Sequence, residues 1–314
     1  MNKLPPVGED GFVVTQEYQR FAEFCDACRH YRYIGLCCGP PGVGKTLSAR
    51  RYAGWARLET CDPRKETLDD LCEVKGYNTV LYTPEVINSP GRIGQDIESL
   101  RRRLQSIPFE ILDRQQKPIL DTFLQHEEDL RKKLYMETDW LFGPPVNRDA
   151  LDAERLALYE EMAKHRSEIH DPTSLVLVDE ADRLKMASLE QMRSIYDAGG
   201  IGLVFIGMPG LEKRLARYPQ FYSRVGFVHT FRPLGANQMR ELLLQWNPPD
   251  LRLPENSLGD AEAVAAIIRI TGGNFRLLHR LLAQAARLMQ INGIASVTRQ
   301  VVETARESLV IGTG

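Results

Sequence analysis

Two stretches carry residues whose types and spacing could do chemistry on a polyphosphate. The first is GPPGVGKT, Gly39–Thr46, which fits G-x-x-x-x-G-K-[ST]. Glycines at those places let the backbone curl until its N–H groups surround phosphate oxygens, and a helix starting there adds the positive end of its dipole. The run Gly39, Pro40, Pro41, Gly42, Val43, Gly44, Lys45, Thr46 and Leu47 is therefore expected to wrap a nucleotide's phosphates. Lys45 would reach the β- and γ-phosphates, and Thr46 would ligate Mg²⁺. The second stretch is LVLVDEAD, Leu175–Asp182. Four apolar residues drive a strand through a core, and Asp179 emerges at its carboxyl end, where open α/β sheets bind ligands. Asp179 is expected to position Mg²⁺, directly or through water, and Glu180 to polarise the attacking water as a general base. Asp182 and Arg183 read just as well as a local surface pair. Together the two stretches point to a nucleoside triphosphate with Mg²⁺.

The elements that must position these groups follow from the apolar pattern. Residues 16–31 put Tyr18, Phe21, Phe24 and Cys28 on one helical face. The short runs 34–38, 79–83, 175–178, 201–206 and 227–231 are strands, and 47–58, 92–104, 189–196 and 211–217 are helices. Strands alternating with helices mean a parallel sheet covered by helices. Residues 107–170 differ: two charged helical stretches, 119–135 and 150–169, are divided by the breaker GPPV at 143–146. Beyond Pro233 only helices are expected, at 236–246, 260–270, 274–291 and 297–308, so a domain boundary falls near residue 233.

Composition narrows the class. The 314 residues are 43% hydrophobic and 26% charged with a net charge of −2, which suits a globular protein and argues against one that coats nucleic acid by bulk charge alone. No run of 18 apolar residues exists and the N-terminus shows no apolar signal core, so no membrane contact and a cytoplasmic location are expected. All six cysteines lie in the first quarter. Cys25-x-x-Cys28 invites a zinc reading, but a structural site needs four converging ligands. Cys37 and Cys38 fall in a buried strand, which favours free thiols packed as small hydrophobes.

The two phosphate motifs, in this order and with an all-helical tail, resemble the AAA+ ATPases. The resemblance implies that the nucleotide is ATP, and that it binds an αβα P-loop core with a five-stranded parallel sheet and a small helical lid. It divides the chain into an N-terminal segment and helix (1–33), the core (34–233, with a helical insertion at 107–170) and the lid (234–314). GMPGLEKRLARYPQFYSRVGF at 207–227 and TGGNFRLLHRLL at 271–282 look like segments of the MuB/TnsC (IstB-like) group of DNA transposition regulators. By that resemblance Arg224 is the arginine finger that completes a neighbour's site, with Arg214 and Arg217 as weaker candidates, and Arg276 is the sensor 2 arginine closing on the γ-phosphate. The alternatives are a surface arginine at a helix C-terminus for Arg224 and a lid surface charge for Arg276. The fourth strand ends Phe205-Ile206-Gly207-Met208, with no polar sensor 1 residue, which implies slow, switch-like hydrolysis. Phe12-Val13-Val14 resembles the stretch that packs on adenine, with a simple core reading as the alternative.

The same resemblance implies a homo-oligomer, ring or helical filament, on double-stranded DNA without sequence preference, together with a transposase and a target-selector protein. DNA contacts would come from Arg92, at a helix N-terminus, and from Arg101, Arg102 and Arg103, although the triplet covers most of a helix circumference and also reads as a solvated face. The insertion at 107–170 reads as a partner contact or as a helical brace. Secretion-associated and replication-initiator-like AAA+ proteins are the alternatives.

Overall fold

Five segments with few or no polar interruptions form strands: β1 (Ile34–Cys38), β2 (Thr79–Tyr82), β3 (Leu175–Val178), β4 (Gly202–Gly207) and β5 (Val225–Thr230). They make one parallel sheet in the order β2-β3-β4-β1-β5 in the structure, a computed structural model describing residues 12–136, 148–245 and 260–309. The register sets Leu36 of β1 beside Phe205 of β4 on one side and Val228 of β5 on the other. β3 and β4 are buried along their whole lengths, as continuous apolar runs demand. β5 is an edge strand, and its residues alternate between half-buried and exposed.

The chain divides into two compact units. The first comprises residues 1–55, 81–94 and 174–314 and holds four of the strands and the end of β2. Its N-terminal helix α1 (Gln16–Tyr31) is capped by Thr15, whose Oγ1 accepts the Tyr18 N–H at 3.1 Å. The expected helix 47–58 is two helices, α2 (Lys45–Tyr52) and α3 (Trp55–Thr60), because Gly54 takes φ +60° between them. Next in the chain come α4 (Leu68–Val74), opened by a Thr67/Asp70 capping box, then α5 (Pro90–Met136) and α6 (Arg148–Ser167). The first unit continues with α7 (Met186–Asp197), α8 (Leu211–Leu215) and α9 (Pro219–Tyr222). Four helices end the chain: α10 (Ala236–Gln245), α11 (Ala261–Thr271), α12 (Phe275–Asn292) and α13 (Arg299–Glu307). They share a core of buried Met239, Leu242, Ile267, Leu278, Leu281 and Val302. Each large apolar side chain buried there contributes about 1.5–3 kcal/mol. Val13 packs against this same core, while Phe12 sets its ring 5.0 Å edge-on to Tyr18.

The second unit, residues 56–80 and 95–173, corrects the expected pattern. Helices 92–104 and 119–135 are one helix of 47 residues that runs on through Pro108 and Pro118. A proline inside a helix costs about 3 kcal/mol. α6 is tied to α5 along its length: Arg166 reaches Asp113 at 2.6 Å and stacks on Phe109, and Arg155 lies 3.5 Å from the buried Glu127. Residues 143–146, read as a breaker, lie outside the described residues, as do the first eleven residues and the last five. No helix among the described residues is long and apolar enough to cross a membrane.

Candidate nucleotide site

β1 delivers the chain to the carboxyl end of the sheet, where the Gly39 N–H donates to the Gly207 carbonyl at 3.3 Å. The loop then turns through Gly42 (φ +80°) and Gly44 (φ +104°), and α2 starts at Lys45. The Lys45 Nζ donates to the carbonyls of Gly39 (2.6 Å) and Pro40 (2.7 Å). Burial holds its pKa below the usual lysine value, against the pull of nearby Asp179. Thr46 Oγ1 donates to Asp179 Oδ2 at 2.7 Å, and Asp179 Oδ1 accepts the Glu180 N–H at 2.9 Å. Two motifs 133 residues apart are thus joined by one hydrogen bond.

Glu180 takes a left-handed conformation (φ +50°, ψ +41°), one of two non-glycine residues with positive φ among the described residues. That costs roughly 1–2 kcal/mol for an L-residue and fits a functional turn. Its carboxylate forms an ion pair with Arg183. The alternative of an Asp182–Arg183 surface pair is not what forms, because the 3-10 turn at Ala181–Arg183 brings Arg183 back over Glu180. Asp182 turns the other way, and its Oδ2 accepts the Met208 N–H at 2.7 Å. The end of β4 lacks a polar side chain of its own but is met by this carboxylate. A Cβ on Gly207 would stand 2.7 Å from Asp182 Oδ2, so glycine makes the approach possible. Sequence reasoning missed this role of Asp182; the signal was a second aspartate just past Glu180 and a glycine closing β4.

The start of α12 closes over the loop. Asn274 caps α12, its Oδ1 accepting the Leu277 N–H at 3.1 Å, while its Nδ2 donates to the Pro41 carbonyl at 2.8 Å. The Arg276 N–H donates to the Gly42 carbonyl at 3.2 Å. A cavity of about 600 Å³ results. Leu47, Lys45, Thr46, Asp179, Glu180 and Asp182 line one side, and Arg276, His279 and Arg280 line another. His279 and Arg280 were not singled out in the sequence, although they follow Arg276 at helical spacing i+3 and i+4.

Residues 28–215, more than half the chain, match the family described as AAA domain. The chain belongs to the AAA domain family. A relative from Staphylococcus aureus, named a potential ATP-binding protein, is 40% identical over 309 residues, 96% of this AAA domain chain and 97% of its own. Among solved structures, Cdc6p from Pyrobaculum aerophilum has a similar fold (TM-score 0.52, 16% identity, 99% of this chain and 70% of that one). So does the RuvB Holliday junction branch migration motor of Thermotoga maritima (TM-score 0.50, 14% identity, 96% and 72%).

The remaining candidate residues of this AAA domain protein are not among those that line the cavity. Arg224 is bound within its own chain by Asp197 of α7, through Nε–Oδ1 at 2.7 Å and Nη2–Oδ2 at 3.1 Å, and it also donates to the Gln220 carbonyl. Arg214 donates to the carbonyls of Asp182 (2.8 Å) and Leu184. The arginine triplet does not form one cationic face. Arg101 is bound to Asp171 at 2.6 Å, Arg103 donates to the carbonyls of Glu59 and Cys61, and Arg102 is 74% exposed beside Glu98. Arg92, in the first unit, lies 3.2 Å from Glu85. All six thiols are free: Cys25, Cys28, Cys37 and Cys61 are buried, Cys38 half-buried and Cys72 exposed. Burial pushes the Cys28 thiol up to about 12, and no metal-binding cluster occurs among the described residues.

Proposed function

We propose that this AAA+ protein is an ATP-hydrolysing switch of the MuB/TnsC kind. It assembles on duplex DNA, recruits or activates a transposase, and leaves the DNA when ATP is hydrolysed. The observation that carries the ATPase reading is the continuous link Thr46–Asp179–Glu180 beside the Lys45 ammonium in one cavity. Lys45 would exchange its two loop carbonyls for the β- and γ-phosphates. Glu180 would take a proton from water as the water oxygen bonds to the γ-phosphorus and the bridging P–O bond to ADP breaks. The Thr46 hydroxyl and the Asp179 carboxylate are oxygen donors 2.7 Å apart, the chemistry that suits Mg²⁺, which would neutralise phosphate charge there. Arg276 would contact the γ-phosphate from the lid, and Arg224, once released from Asp197, would complete the neighbouring subunit's site.

The DNA part rests on the resemblance of 207–227 and 271–282 to the transposition regulators, with Arg92 as the leading backbone contact. Electron microscopy with duplex DNA tests it. Rings or filaments that need a slowly hydrolysed ATP analogue, and that persist with ATP in Glu180→Gln, support the reading. ATP turnover without any nucleotide-dependent assembly on DNA would overturn the DNA part and leave an ATPase of another task.

A further inference from the structure

The first turns of α12 bring more cationic groups to the cavity than one γ-phosphate contact uses. Arg276, His279 and Arg280 follow one another at spacings of three and four residues, so they share one face of the helix. All three are exposed, line the cavity and belong to the first unit. The opposite face is pinned, with Leu278, Leu281 and Leu282 buried in the core of the four C-terminal helices. The Asn274 amide holds the start of the helix on the Pro41 carbonyl at 2.8 Å. The cationic face is therefore set before anything binds, which lowers the ordering cost of holding an anion there.

The acidic side of the cavity does not neutralise that face. Asp179 accepts the Thr46 hydroxyl, Glu180 pairs with Arg183, and Asp182 accepts the Met208 N–H. Among the described residues no group bonds to or pairs with the side chains of His279 and Arg280. The two stand one turn, about 5 Å of axial rise, beyond Arg276. An offset of that size suits a phosphate that has left ADP better than one still bonded to it. A planar guanidinium meets phosphate oxygens through two N–H groups, and an imidazole N–H adds a third donor.

We propose that His279 and Arg280 form a second anion subsite, which takes the inorganic phosphate set free by hydrolysis and delays its escape while ADP is still bound. The inference rests on the ATP-hydrolysis reading of the cavity. When the bridging P–O bond breaks, ADP keeps its electron pair, one water proton goes to Glu180, and the γ-phosphorus leaves as hydrogen phosphate carrying the water oxygen. The anion passes from Lys45 and Arg276 to His279 and Arg280. The protein then holds both products at once, and the anion still draws α12 toward the phosphate loop.

The decisive test needs no turnover. Inorganic phosphate is titrated into the full chain saturated with ADP and Mg²⁺, with binding read by calorimetry and ADP affinity read separately with a fluorescent analogue. The wild type binds phosphate at roughly millimolar concentration, as expected for exposed cations. Arg280→Ala weakens phosphate binding about 10-fold and leaves ADP affinity unchanged. His279→Ala weakens it less, and Arg280→Lys, which keeps the charge without the two-pronged geometry, falls between Arg280→Ala and wild type. In a single turnover followed with a fluorescent phosphate sensor, release lags bond cleavage in the wild type and keeps pace with it in Arg280→Ala. An ADP-loaded wild type that binds no phosphate, or unchanged phosphate affinity in both alanine variants, overturns the subsite. A matching loss of ADP affinity also overturns it, since the two residues would then be nucleotide contacts. Release that keeps its wild-type lag in Arg280→Ala overturns the delay. A wild type that binds ATP and never cleaves it fails the hydrolysis reading instead, and the titration with ADP still decides the subsite.

Discussion

Asn274 performs two tasks with one side chain, and substitution can separate them. Its oxygen caps α12 and its amide nitrogen clamps the loop carbonyl of Pro41. Aspartate caps helices about as well as asparagine, so Asn274→Asp should keep the cap on α12 and lower the melting temperature only by what the lost clamp contributes. It cannot donate to Pro41, however, and it sets a carboxylate oxygen against a carbonyl oxygen. A hydrogen bond of this kind has a net worth of about 0.5–1.5 kcal/mol, so ATP affinity should fall about 2- to 13-fold if the clamp holds the phosphate loop in its binding form. Asn274→Ala loses clamp and cap together, adding destabilisation of about 1 kcal/mol that a thermal melt would detect. A titration with a fluorescent ATP analogue, beside thermal melts of the three proteins, separates the effects. Wild-type affinity in Asn274→Asp would refute the idea that the loop depends on the lid helix for its shape.

Further outcomes follow from the same geometry. Arg224→Ala should bind ATP normally yet hydrolyse poorly, and mixing it with Lys45→Ala should restore part of the turnover; absence of rescue where the two co-assemble would end the trans assignment. Gly207→Ala places a Cβ 2.7 Å from Asp182 Oδ2 and 2.8 Å from Leu211 Cδ2, an overpacking that should cost about 1–3 kcal/mol in denaturant melts and lower kcat. A variant as stable and active as wild type would show that Asp182 need not sit there. His229 lies in β5 among Phe21, Phe24 and Phe231, with its Nε2 3.3 Å from Glu17 and with Arg20 and Arg232 nearby. Burial lowers its pKa below 6.5 against the pull of Glu17, so the unfolded chain binds the extra proton first. Its contribution is full above about pH 6.5 and declines as pH falls, by at most about 1.4 kcal/mol per pH unit; His229→Gln should flatten that part of the stability profile.

The parallel sheet was legible because each strand is a short apolar run bounded by breakers, and Leu175–Val178 needed nothing beyond its own four residues. The long α5 was not. The apolar pattern gave two separate helices, 92–104 and 119–135, and the contacts that α5 makes with α6 involve residues about 30 to 50 positions away. Lys45, Thr46, Asp179 and Glu180 were each visible in a motif. The partners that hold them are tertiary: Arg183 folds back onto Glu180, Asp182 finds the end of β4, and Asn274 reaches Pro41 from 233 residues away. Spacing along the chain cannot announce such contacts. The arginine triplet shows the converse, where a conspicuous cluster is dispersed among Asp171, Glu98 and main-chain carbonyls.

The distribution of thiols gives this protein a native chemical handle. Four of its six cysteines are buried and Cys38 is half-covered with its pKa raised by burial, whereas Cys72 stands exposed on α4. Alkylating reagents act on accessible thiolates, so a brief maleimide treatment near neutral pH should mark Cys72 ahead of the rest. A dye placed there reports on the second unit without any engineered residue. The unmarked thiols become an internal gauge of integrity, since their late modification registers the opening of α1, of β1 and, for Cys61, of the chain just after α3.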